Sequence, residues 1–202
     1  MDQLLKLKCD VARSQLSGAL HLYIADADPI AVHCLACGGA EVAEGVAMLT
    51  GKSPFLESAM EAIQLKKEEI RSARTKHWNP MKHLWNRSGN VRTDDLLLLQ
   101  DFKDEYNDGV LFCGWHDYML IAGALPLEAQ VFQLWFWAMH DVGDPGQDDE
   151  VIRNAFPGIT QLSRPDQKAL LRAVIKQWYD DPDLRADRRT EPILVRNLGY
   201  GN

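Results

Sequence analysis

Apolar residues recur at helical spacing along almost the whole of this chain, and no run of β-branched residues alternates with polar ones. A sheet needs a period of two, so this property alone points to packed helices. Residues 3 to 25 bring Leu4, Leu7, Val11, Leu16, Leu20 and Ile24 near one face. Asp28-Pro29 then supplies a capping carboxylate and a proline whose fixed φ suits a first helical position. The helix predicted from there ends near Leu49, because Gly51 follows. Its small residues, Ala36, Gly39, Ala40 and Ala43, admit a neighbouring helix at close range.

Further on, Pro54 opens a third helix that carries Met60, Ile63 and Ile70 toward His77, and Asn79-Pro80 is expected to interrupt it. Thr93 reads as the cap of a helix starting at Asp94, and Asn107-Asp108-Gly109 reads as a turn. Residues 110–125 and 127–140, separated at Pro126, form two strongly apolar helices with Phe112, Trp115, Tyr118, Phe132, Trp135, Phe136 and Trp137. A short helix over 148–155 and a last one from Ser163 to about Tyr179 complete the pattern. Residues 192–195 are the best strand candidate. The expectation is an all-α fold: a single-domain bundle of six to eight helices over 1–179, with an irregular tail over 180–202 packed on its surface.

At 202 residues the chain can bury a core without staples. No apolar run approaches the ~20 residues of a membrane span, and the first ten residues lack the pattern of a secretory signal. Cys9, Cys34, Cys37 and Cys113 have apolar neighbours and read as free thiols, so a cytoplasmic location without membrane contact is expected.

Residues 71–92, RSARTKHWNPMKHLWNRSGNVR, carry six Lys/Arg and no acid, leaving sixteen Lys/Arg against twenty-nine Asp/Glu elsewhere. A basic, aromatic, His-bearing stretch in an acidic protein is where an anionic partner is sought first. Arg74 and His77, three apart, share a helix face; Arg71 is six residues from His77 and does not. With a general base in His77 and charge stabilisation from Arg71 or Arg74, these three are the catalytic candidates. His33, Trp78, Asn79, Lys82 and His83 are the ligand-binding candidates, with Trp78 and Trp85 able to stack on a base. The plainest alternative is a solvated cationic face with both indoles lying as lids on the core. His33, Cys37, Glu41 and Glu44 line one stripe of the second helix, yet no metal and no cofactor is expected. His116, His140 and Asp141 are marginal metal candidates, as members of two His-Asp dipeptides.

Three resemblances add expectations. The stretch ALHLYIADADPIAVHCLACGGAEVAEGVAML, with WNPMKHLWN after it, resembles a group of bacterial helical proteins that has a DP-x-[SA]-x-H-x-L-A core and an N-x-x-K-H block. Asp28, Pro29, His33, Leu35, Ala36, Ala40 and Glu41 match the first motif, Lys82 and His83 the second; Leu84-Trp85 departs from it. This resemblance implies a helical fold and no stated activity. Arg71 and His77 also resemble the R-x4-6-H motif of HEPN domains, which implies a bundle that dimerises and cleaves RNA without metal. WAMHDVGDPG resembles the HD phosphohydrolase motif, which implies a divalent metal held by His140 and Asp141 with His116 upstream. The reading preferred from the sequence is a dimeric binding or regulatory module, its contact surface around residues 76–87, with a second copy, a small anionic ligand or RNA as partner.

Overall fold

The computed structural model describes residues 3–58, 67–86, 88–140 and 149–192, the side chains of 67–74 and 149 excepted. The fold is all-α. In chain order the helices are α1 (Gln3–Ile24), α2 (Pro29–Leu49), α3 (Lys67–Lys82), α4 (Asp95–Gln100), α5 (Tyr106–Ala122), α6 (Leu127–His140), α7 (Asp149–Ala155), α8 (Arg164–Tyr179) and α9 (Pro182–Ala186). The short helices α4, α7 and α9 carry the number among the described residues slightly above six to eight.

Local chemistry sets the α1–α2 hairpin. Asp26 takes a left-handed backbone (φ 55) just past α1, where the Ala27 N–H bonds back to the Leu22 carbonyl at 2.9 Å. Asp28 caps α2, its Oδ1 accepting from the Ala31 N–H at 2.8 Å, with Pro29 in the first turn. Small residues then let three helices close on one leucine. A Cβ built on Gly39 of α2 would stand 2.7 Å from Leu16 Cγ and 3.1 Å from the Leu16 backbone nitrogen. One built on Gly114 of α5 would stand 2.6 Å from Leu16 Cδ2 and 3.1 Å from Ala40 Cβ. By length and composition α2 could also cross a membrane, but half of its most apolar stretch is buried inside this fold.

The apolar helices α5 and α6 stack Phe112 on Phe136, ring centres 4.1 Å apart, and α8 covers Trp135, whose indole N–H donates to the Gln167 carbonyl at 3.2 Å. A buried ionic knot ties α1, α5 and α8. Arg164 donates to Asp108 Oδ1 at 2.6 Å and to the Tyr23 hydroxyl oxygen at 2.9 Å, while the Tyr23 hydroxyl donates to Asp108 at 2.7 Å. Lys168, only 2% exposed, reaches Asp26 at 2.9 Å and Asp104 at 2.8 Å.

Four expectations need correction. Asn107-Asp108-Gly109 is not a turn but part of the first turns of α5, because Asn107 and Asp108 find buried partners there. Asn79-Pro80 does not interrupt α3. Pro80 lies in its final turn, where few later residues depend on the lost bond, and the His83 N–H still reaches the Asn79 carbonyl at 3.0 Å. Thr93 caps nothing: α4 begins at Asp95, after Asp94. The tail is not wholly irregular. Asp181 caps α9, and Thr190–Glu191 pair in parallel with Leu125–Pro126; of the strand candidate 192–195, residues 193–195 lie outside the described residues. Glu191 anchors it, accepting from Arg13 Nε at 2.6 Å and from the Tyr118 hydroxyl at 2.9 Å.

Candidate functional site

Among the described residues of the basic window, His77 and Trp78 turn inward, while Lys76 and those from Lys82 to Val91 face water. His77 and Trp78, on α3, are 5% and 7% exposed. The Lys82 ammonium, one turn on from Trp78, lies 4.1 Å from its ring centre, a cation–π contact, and Asn79 is half-buried beside them. His83, Leu84 and Trp85 face water. Arg71 and Arg74 lie on α3, but their side chains are outside the described residues.

Beyond α3 the chain turns back in a small hairpin. The Asn86 N–H reaches the Asn90 carbonyl at 2.8 Å, Asn86 Oδ1 accepts from the Ser88 and Asn90 N–H groups, and Trp85 and Val91 bridge as antiparallel partners. Gly89 supplies the left-handed residue (φ 79) that this turn requires. Arg92 then ties the hairpin to α4 through Asp95, at 2.6 Å. Leu84, Trp85, Val91, Leu96 and Leu97 stand out from this stretch, between 48% and 77% exposed.

Behind the hairpin, His77 meets His33. The His33 ring on α2 and the His77 ring on α3 lie edge to face with centres 6.3 Å apart, and His33 is 2% exposed. Phe102 meets both rings, at 5.0 and 5.4 Å, and Tyr106 stacks on His77 at 4.7 Å. Asn107 orients His33. Its Nδ2 donates to the Pro29 carbonyl at 3.1 Å, so its Oδ1 must accept, and His33 Nδ1 donates to it at 2.9 Å. His33 is thereby held with its proton on Nδ1 and a lone pair on Nε2. Neither His33 Nε2 nor His77 Nε2 has a hydrogen-bond partner among the described residues. Burial pushes the His33 pKa down, and its bond to Asn107 opposes this. Burial and then Lys76 push His77 down, against Asp101.

This pair does not suit a metal. Two imidazole nitrogens on one zinc ion stand about 3.3 Å apart. Rings centred 6.3 Å apart cannot bring nitrogens that close, each lying about 1.1 Å from its own centre. Among the described residues no group of three His, Cys, Asp or Glu could hold an ion. Cys37 is buried and Glu41 exposed, so the α2 stripe does not converge, and all four cysteines are free.

The described members of the His-Asp dipeptides make structural contacts. His116 lies against Phe55, ring centres 5.0 Å apart, and Asp117 accepts the Phe55 N–H at 2.7 Å. His140 packs on Phe136 at 4.3 Å, and Asp141 is outside the described residues. Reasoning from sequence singled out His33 and His77 but missed Phe102, Tyr106, Asn107, Leu96 and Leu97. The signal for Asn107 was there: the apolar spacing from Val110 extends backward through it. No family model matches this chain, and no curated protein or solved structure matches it at a significant level.

Proposed function

We propose that this protein is a cytoplasmic, dimeric binding module whose contact surface is the basic, aromatic hairpin between α3 and α4, and that its partner is a second copy of the chain. One observation carries the reading: Leu84, Trp85, Val91, Leu96 and Leu97 come from a single stretch and all stand in water. A contiguous apolar patch rimmed by polar groups is the mark of an interaction site, and its burial gains about 25 cal/mol per Å².

Charge selects the partner. The window 71–92 is wholly cationic, whereas the rest of the chain is strongly acidic. Hairpin against hairpin would oppose like charges. The hairpin of each copy against the acidic surface of the other gives two equivalent contacts about a twofold axis. His77, buried among aromatic rings, has no path to an RNA backbone in this arrangement, which favours binding over metal-independent RNA cleavage.

Sedimentation velocity at micromolar concentration tests the reading. The expected result is a dimer that dissociates as salt rises well above the ~0.15 M at which exposed charges are screened within ~8 Å, and that is lost in Trp85→Ser. A monomer throughout rejects it. Salt-sensitive RNA binding that weakens in Lys82→Ala would reassign the surface to nucleic acid.

A further inference from the structure

We propose that the His33–His77 pair is an acid-sensitive latch: it holds α3, and with it the hairpin, against α2 and α5 while both imidazoles are neutral, and it opens when they take up protons. At this pair α3 meets α2 through two titratable rings, and both are more than nine-tenths buried. Apolar and aromatic surface encloses them. Phe102 touches both rings, Tyr106 stacks on His77, and the sole polar partner of His33 among the described residues is the uncharged Asn107.

Protonation at either Nε2 places a cation where, among the described residues, no carboxylate accepts a hydrogen bond from it. Among the described residues, the charges that act on the pair are those of Lys76, Asp101 and the two imidazoles themselves. Lys76, on α3 itself, repels a charged His77; Asp101, just past α4, opposes Lys76; and each imidazolium repels the other across 6.3 Å. A buried charge without a partner is relieved by moving the element that carries it into water. His77 is carried by α3, which meets α2 at His33 and the start of α5 at Tyr106, so α3 is the element that moves.

The sign follows. Both groups are held below the ordinary imidazole value of about 6.5, so the stability that they contribute is complete above that value and is lost as pH falls beneath it. This is independent of whether the hairpin binds a second copy, because the readout is the opening of α3 and not association.

Amide hydrogen exchange on the full chain, corrected for intrinsic rates, provides the test. From about pH 7.5 to about pH 5.5, amides of α3 are expected to lose protection at least about tenfold while those of α6 keep theirs. His77→Phe keeps the ring packing and His33→Gln keeps a neutral partner for Asn107; the double variant should abolish the loss. Unchanged protection in the unsubstituted protein, or an equal loss in the double variant, overturns the latch. Imidazole nitrogen shifts give a reading that needs no variant. A neutral His33 persisting below about pH 6.5 until α3 opens supports the latch, and titration at that value with α3 still protected refutes it.

Discussion

Arg164 ties α8 to α1 and α5 in the interior. It faces Asp108, a carboxylate whose pKa burial pushes up and whose bonds to Arg164 and Tyr23 pull it back. Arg164→Met strands that carboxylate and is expected to cost about 3–5 kcal/mol, whereas Tyr23→Phe, which leaves the ion pair in place, should cost only about 1 kcal/mol. Urea unfolding of the two variants checks the order; equal losses would show that the ion pair is not the main tie. Neither effect was legible from the sequence, because Asn107-Asp108-Gly109 has the composition of a turn. What overrode that local signal was the supply of buried partners: Arg164 and Tyr23 for Asp108, His33 and the Pro29 carbonyl for Asn107. His33 and His77 were each identifiable, one from its motif and one from the basic window. That they meet depends on where α3 lies, which no local pattern specifies.

Two helix starts were legible, Asp28-Pro29 by its capping carboxylate and Ser163 by its place before a proline-bearing first turn, while those of α4 and α5 were not. The stripe of small residues on α2 was equally plain, and its meaning is now quantitative. Gly39→Ala forces a methyl to within 2.7 Å of Leu16 and against the α1 backbone. The backbone contact cannot be relieved by a rotamer change, so a loss of about 1–3 kcal/mol is expected. Gly45→Ala, with nothing near its Cβ, should instead leave stability equal or improved by up to about 1 kcal/mol. Thermal melts of the pair decide whether crowding or helix propensity governs α2. The α3–α4 hairpin presents the opposite case. Its apolar residues contribute little to the fold, so Trp85→Ser should change monomer stability by less than about 0.5 kcal/mol even as it removes self-association. A large stability loss in that variant would mean that the hairpin belongs to the core.

For the molecule as a whole, the all-α class followed from periodicity, but the basic window did not stay together as one rim. His77 and Trp78 turned inward, where His77 meets His33 of α2 and Tyr106 of α5, while Lys76 and the described residues from Lys82 to Val91 remained at the surface. The tail, too, proved more than a surface wrap. Glu191 joins Arg13 and Tyr118, and Leu125 donates its N–H to the Arg189 carbonyl at 2.9 Å. Glu191→Ala leaves Tyr118 and Arg13 without that carboxylate, and a loss of about 1–3 kcal/mol in chemical unfolding is expected. This clasp has a bearing on biosynthesis. Arg13 is translated long before residue 191, so a nascent chain that stops short of Glu191 holds Arg13 and Tyr118 without the carboxylate that joins α1 to α5.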